Sequence, residues 1–521
     1  MQTHLPRPAR RPLAAALATA LAALSLAACS TLPDTSPPTV AIPARYAGAP
    51  ASGATAATPG WQRAAPADAT PRGPWWQVFG DADLDQLETR VEVSNQTLRR
   101  ALADLDAARA AVDFQRAGLL PTLTAGGSPS RARISQNKAG SSLAGKTTPD
   151  YTAGVTASWE PDLFGKLRDA VANARANAAA SEADLGAVRL AIGAQLASDY
   201  FALRSLDTQQ QLLDGTVDAY GHALHLLEQQ LADGAIDASA VAQARAQYEA
   251  ARTQATEVGA QRARLQHAIA TLVGENASTF SIAPRVQALA VPPIPVGLPS
   301  QLLERRPDIA AAERRVAAAN AQIGAARAAF FPDLLLSASA GLESSAFGPW
   351  LTASSLFWSL GPQLVGTLFD GGQRRATLHG ATAQYDGAVA DYRQTVLSAF
   401  QQVEDDLTSL DALASEAASA RRAAEASDLS LTLTTNRFQA GAVSYLDVVT
   451  AQTIALSNRR LVDQIDAQRI AAAVGLAVAV GGGWRAGDGP EGVTAAPRPA
   501  ARAASITAPG NAGAHIEAPP A

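Results

Sequence analysis

The sequence predicts a mainly α-helical protein with a transmembrane β part, laid out on one plan used twice: helix, strand, strand, helix, helix. Three observations lead there. The chain of 521 residues matches itself at an offset of about 211 residues early in each half and about 207 later. Two stretches of roughly 120 residues, Pro161 to Pro284 and Pro362 to Pro490, contain no proline although the chain holds 31. Between the helical regions, short segments alternate apolar and small polar residues with the period of a strand.

The first helix of each copy is read from SNQTLRRALADLDAARAAVDFQRAGLLP, beginning at Ser94, and RRPDIAAAERRVAAANAQIGAARAAFFP, beginning at Arg305, closed by Pro121 and Pro332. Proline ends a helix because it lacks the amide donor and crowds the preceding turn. The strands follow. Tyr151, Ala153, Val155, Ala157 and Trp159 alternate with Thr152, Gly154, Thr156 and Ser158; Leu334, Leu336, Ala338, Ala340 and Leu342 mark another strand, and Leu356, Trp358, Leu360, Leu364 and Leu368 a further one. Such alternation fits a half-buried soluble sheet as well as a membrane face. Four strands cannot close a barrel, however, and open edges are not tolerated in a bilayer, so the membrane reading requires several chains to share one barrel. The change of offset places an insertion in the strand loop, where extra residues cost least.

Next come LFGKLR at Leu163 and LFDGGQRR at Leu368, then the long helices. Tyr385, Val389, Tyr392, Val396, Phe400, Val403, Leu407 and Leu410 step by three and four and give one apolar stripe. From Gly372 to Phe438 the rod would span about 100 Å at 1.5 Å per residue, too long for a compact domain, so it must lie against other rods. The rod breaks in LADGAIDASAVAQAR at Gly234 and in RFQAGAVSYLDVVTAQ at Gly441, where glycine permits the left-handed turn of a helical hairpin.

Composition narrows the function. A formal net charge of -5 excludes a polybasic nucleic-acid binder, and the single Cys excludes an intrachain disulfide framework. No phosphate-binding glycine loop, nucleophile motif or run of intramembrane charges is present, so neither an enzyme nor a pump is expected. Residues 1-28 read as a secretory signal, with Arg7, Arg10 and Arg11 before an apolar run from Leu13. The run ends in Leu26-Ala27-Ala28-Cys29, which resembles a bacterial lipobox and implies cleavage before Cys29, a covalent lipid on it, and, with Ser30 following, outer-membrane sorting. Residues 29-72 read as a lipid-anchored flexible linker, 73-285 as the first repeat, 286-486 as the second, and 487-521 as a disordered Ala/Pro-rich tail.

The lipobox, GLPSQLLERRPDIAAAE from Gly297, NAQIGAARAAFFPDLLLSASAG from Asn320, LFDGGQRR and RFQAGAVSYLDVVTAQ stand in an order and spacing that resemble the TolC-like outer-membrane factors, and among them the NodT-type efflux lipoproteins. The resemblance covers about Pro74 to Trp484. It implies a homotrimer with a twelve-stranded outer-membrane β-barrel, continued by a long periplasmic α-barrel. It also implies a passive duct completed by a periplasmic adaptor and an inner-membrane pump, typically of the proton-driven resistance-nodulation-division (RND) type. A periplasmic adaptor or a structural coiled-coil lipoprotein is the competing expectation; the first should show one hairpin flanked by Gly-rich β domains, the second no strands.

The resemblance also places the helix breaks at the periplasmic mouth, making Asp233, Gly234, Asp237, Arg437, Gly441, Ser444 and Asp447 the gate and docking candidates. Asp237 aligns with Ser444, so one of the two equivalent positions is acidic; Asp447 either replaces the missing carboxylate or caps the returning helix. Arg437 either pairs across helices or is a solvated cation at a helix C-terminus. His222 and His225 are three apart but lack further ligands, so no metal or other cofactor is expected. Glu404, Asp405 and Asp406 read as a solvated acidic face.

Overall fold

The structure, a computed structural model, describes residues 43, 46–47 and 74–482 apart from 138, 288–289 and 295–304. The expected signal, Cys29, nearly all of the linker and the 487-521 tail lie outside the described residues.

After a single 3-10 turn at Trp75–Phe79, the first half comprises α1 (Ala82–Ser94), α2 (Gln96–Ala117), β1 (Thr122–Arg133), β2 (Thr147–Trp159), α3 (Lys166–Ala232) and α4 (Ala238–Leu272). The second comprises α5 (Pro307–Ala328), β3 (Asp333–Ser344), β4 (Leu356–Val365), α6 (Gln373–Gln439) and α7 (Tyr445–Ala479). The duplication is exact in helix length: α2 and α5 have 22 residues each, α3 and α6 have 67, and α4 and α7 have 35. The long helices are thus each about 100 Å. The length difference between halves is not confined to the strand loop, which runs 134–146 in one half and 345–355 in the other; β2 has 13 residues against 10 in β4, and the connector to the long helix is one residue shorter in the first half.

The predicted stripe on α6 is the buried one. Tyr392, Val396, Val403 and Leu407 pack with Ile309 and Val316 of α5 and with Ala473 and Leu476 of α7, flanked by Tyr385, Val389, Phe400 and Leu410. Each such side chain contributes about 1.5–3 kcal/mol by leaving water. The first half builds its counterpart from Leu84, Leu87, Leu98, Leu196, Tyr200, Leu203 and Ile269. Tyr46 and Ala47 belong to this body and depart from the free-tether reading of residues 29-72. Tyr46 is buried beside Phe400, and the Ala47 amide donates to Glu404 Oε1 at 2.6 Å.

Each half locks the end of its returning helix against the start of its first helix. In the first, Asn95 Nδ2 donates to the Leu272 carbonyl at 2.7 Å; in the second, Arg306 Nη1 donates to the Ala479 carbonyl at 3.1 Å. Gly274 and Gly481, both at positive φ, pass so close to the Ser94 and Arg305 carbonyls that a Cβ on either would overlap backbone.

The sheet is antiparallel throughout, in the order β1-β2-β3-β4, so the two repeats meet at β2 and β3 and share one sheet. Register puts Leu123, Ala125, Gly127 and Pro129 of β1 on the same face as Tyr151 to Trp159 of β2, Leu334 to Leu342 of β3, and Leu356, Trp358, Leu360, Pro362 and Leu364 of β4. The opposite face carries Thr124, Ser128, Thr156, Thr152, Ser337, Ser339, Ser359 and Gln363. Among the described residues the apolar face is left largely uncovered: Trp358 is 75% exposed, Leu360 74% and Leu123 71%. Leu368, expected near the last strand, lies beyond it in the connector to α6. Among the described residues no helix is long and apolar enough to cross a membrane.

Candidate functional site

The site lies at the two hairpin tips, which the sequence closes by one backbone device. Ala235 N–H donates to the Gln230 carbonyl at 2.9 Å and Gly234 N–H to that of Leu231 at 3.0 Å; Ala442 and Gly441 repeat both bonds to Arg437 and Phe438, each at 2.9 Å. This pair of bonds satisfies the last carbonyls of a helix and requires a left-handed residue, which Gly234 (φ 72°) and Gly441 (φ 73°) provide. Asp233 is the exposed C-cap of α3, as Ala440 is of α6.

The returning helices are capped differently. Asp237 precedes α4 and accepts from Ser239 N–H at 2.6 Å; hydrogen bonding from Ser239 holds its carboxyl below the usual range. Ser444 precedes α7, and its backbone N–H and its hydroxyl donate to Asp447 Oδ2 at 3.0 and 2.8 Å. Of the two readings of Asp447, the structure supports the cap: the carboxylate is engaged by Ser444 within its own turn. Arg437 is exposed in the last turn of α6, its guanidinium without an ion pair among the described residues, as expected of a cation favoured by the helix dipole.

The tips pack together through residues that sequence reasoning passed over. Leu227 of α3 and Val241 and Ala244 of α4 meet Tyr445, Val448 and Val449 of α7, with Ile236 and Phe438 at the edge. The rings of Phe438 and Tyr445 stand edge to face, 5.5 Å apart. Arg245 Nη2 reaches Glu228 Oε1 at 2.7 Å across the first hairpin, and Arg459 Nη2 reaches Asp428 Oδ1 at 2.8 Å across the second. Arg460 Nη1 bonds Gln254 Oε1 at 2.9 Å, tying α7 to α4. The apolar positions Val241 and Ala244, and Tyr445, Val448 and Val449, spaced by three and four after each break, were the available signal. The cross-helix pairs carried none, since their members lie 17 to 206 residues apart.

Two other expectations meet the structure here. The acidic run is not one solvated face: Glu404 accepts from Ala47, and Asp406 turns toward Gly475 of α7, where burial and then the neighbouring Asp405 push its carboxyl up to about 6. His225 Nε2 lies 3.1 Å from Gln229 Nε2, and among the described residues no group of three His, Cys, Asp or Glu side chains is arranged to hold a metal.

Comparison with known proteins agrees with this architecture. A family model described as "Outer membrane efflux protein" matches residues 89–275 and 298–482. The pyoverdine export outer membrane protein OpmQ of Pseudomonas aeruginosa is 32% identical over 444 residues, covering 84% of this chain and 93% of its own. The crystal structure of a membrane protein from Pseudomonas aeruginosa superposes with a TM-score of 0.80 at 31% identity, over 88% of this chain and 98% of that one. The outer-membrane channel OprN superposes with a TM-score of 0.80 at 29% identity, over 88% and 100%.

Proposed function

The chain belongs to the outer membrane efflux protein family, and on that premise we propose how it works. It is the outer-membrane channel component of an efflux pump with a TolC-like fold, and not a periplasmic adaptor. We infer that three copies make the duct. One copy leaves β1 and β4 with unpaired edges, and a bilayer holds no water to satisfy them. Two copies would give about eight strands, a barrel whose interior is filled by side chains; three give twelve and leave a lumen lined by the Thr, Ser and Gln face.

Below the membrane, three copies of α3, α4, α6 and α7 would continue the lumen as a tube of paired rods. The tips at Gly234 and Gly441 would meet a periplasmic adaptor, and the adaptor an inner-membrane pump of the RND type. The duct itself is passive: energy and cargo selection are assigned to the pump. A lipid on Cys29 would tether each protomer to the same membrane. At the mouth, Asp237 is the carboxylate we assign to the opening, three in the trimer: it takes one amide, Ser239 N–H, in its own turn, whereas Asp447 Oδ2 takes both the amide and the hydroxyl of Ser444.

The observation that carries this reading is the uncovered apolar face, in register across all four strands, on a sheet with two open edges. The test is single-channel recording of purified full-length protein in planar bilayers together with its native mass. Trimers that conduct support the duct; monomers without conductance overturn it.

A further inference from the structure

We propose that Arg131 and Arg133 form a basic rim that binds the phosphate groups of glycolipids in the outer leaflet. The proposal rests on the reading of the apolar sheet face as lipid-facing. Register places the two arginines: Arg131 stands opposite Pro149 and Arg133 opposite Thr147, continuing the row Leu123, Ala125, Gly127, Pro129 that belongs to the apolar face. They lie two and four residues past the Pro129–Tyr151 pair, about 7 and 14 Å further along the strand, at the end that leads into the 134–146 loop. Tyr151, with Phe347 and Trp350 packed against it at 5.5 and 5.9 Å, sits where aromatic rings mark the boundary of the hydrocarbon layer. The guanidiniums therefore reach the headgroup layer, just past that boundary.

The charges at this end are sorted by face. Asp150, opposite Ser130, and Glu343, opposite Thr152, are on the polar, lumenal face, whereas the arginines are on the outward one. Among the described residues Arg131 and Arg133 have no carboxylate partner. At the other end of the sheet three cations are paired within the protomer. Lys166 holds Glu160 and Asp333 at 3.1 and 3.2 Å, Arg168 holds Asp162 at 3.1 Å, and Arg374 holds Asp370 at 2.6 Å.

Barrel closure does not change this. Pairing of β1 with a neighbouring copy uses its backbone amides and carbonyls and leaves its outward side chains where they are. A trimer would thus carry a ring of six guanidiniums at the level of an anionic headgroup layer. The planar fork of arginine matches phosphate oxygens two at a time, and a guanidinium held near a charged lipid surface favours binding by about fivefold.

The experiment uses the full-length protein in phospholipid nanodiscs, with bound glycolipid counted by native mass spectrometry and conductance recorded on the same preparations. The probes are lipopolysaccharide, its enzymatically dephosphorylated form, and inorganic phosphate. Wild type is expected to retain the phosphorylated form about fivefold or more over the dephosphorylated one. The double variant Arg131→Gln/Arg133→Gln should lose that preference with conductance unchanged, and Arg168→Gln should keep it. Equal retention of both lipids, an unchanged preference in the double variant, or competition by inorganic phosphate as strong as by lipopolysaccharide overturns the proposal. A wild type that does not conduct strikes the channel reading itself, and this one with it.

Discussion

The two halves hold the same backbone lock with different side chains. Asn95 and Arg306 bond carbonyls 207 residues apart, Leu272 and Ala479, and Gly274 and Gly481 slide past equivalent carbonyls. Around the lock the halves diverge. The first is organised by charge: Arg204 bonds Asp207 and Asp83, each at 3.0 Å, Arg262 bonds Asp207 at 2.5 Å, and Arg285 bonds Asp81 at 2.6 Å. Tyr200 donates to Asp81 at 2.8 Å. Burial opposes ionisation of Asp81, but hydrogen bonds from Gln287, Tyr200 and the Leu84 amide, with the Arg285 charge, outweigh it and hold its carboxyl below the usual range. In the second half Leu407 stands where Tyr200 stands, and the exposed Asp411 where Arg204 does. Where two backbones must touch, duplication leaves little freedom; a space between helices accepts either an ion network or aliphatic packing.

The sharpest way to break this contrast is Arg204→Met. Arg204 is 1% exposed, and its removal takes one of two guanidiniums from the buried Asp207, which Arg262 still bonds, at a cost of about 1.5–3 kcal/mol. Asp411→Ala should cost less than about 0.5 kcal/mol, as exposed positions do. Urea unfolding of both variants measures the pair, and similar losses would erase the distinction. Gly274→Ala and Gly481→Ala test the shared part and should each cost about 3 kcal/mol, through positive φ and backbone overlap. A tolerant partner would mean the lock is not equivalent.

The halves should also separate by pH. Glu88, in the first, is buried under α3 beside Gly193, and burial, then Glu92 and Asp85, push its carboxyl up to about 8 from an ordinary 4.5. A carboxyl with a raised folded pKa stabilises the fold below its unfolded value, and that contribution fades as pH climbs toward the folded one. Glu88→Gln should therefore flatten the decline in melting temperature from about pH 4.5 to 8. Asp406→Asn, in the second half, should flatten it only up to about pH 6. A smaller effect is expected at the tips, where Ser444→Ala removes one cap at about 1 kcal/mol. Asp237→Asn is read by ion selectivity in bilayers, where cation preference should fall while Asp447→Asn leaves it unchanged.

Much of this was legible in sequence because it is periodic or punctuated. The Val396, Val403, Leu407 stripe announces itself by spacing, Gly234 and Gly441 by interruption, and the long helices by the prolines they lack. Sequence spacing also paired Asp237 with Ser444, which are indeed the two N-caps. The ion network was illegible because Arg285 and Asp81 lie 204 residues apart and neither breaks a pattern. Glu88 sits in a run, Glu88-Thr89-Arg90-Val91-Glu92, that looks solvated; only the approach of Gly193 buries it. Tyr46 was read as linker because its segment is rich in Ala, Pro and Gly, and a docked aromatic in such a segment has no local signature.

The pairing of β2 with β3 also has a consequence in time. Tyr151 and Ser344, partners in the middle of the sheet, are separated by the whole first hairpin. Local helix contacts form fast, whereas a contact closed over so long a loop is slow and entropically costly. Both 67-residue rods can therefore fold back before the central ladder exists. The membrane sheet is therefore expected to close after the rods, once the second repeat has been supplied.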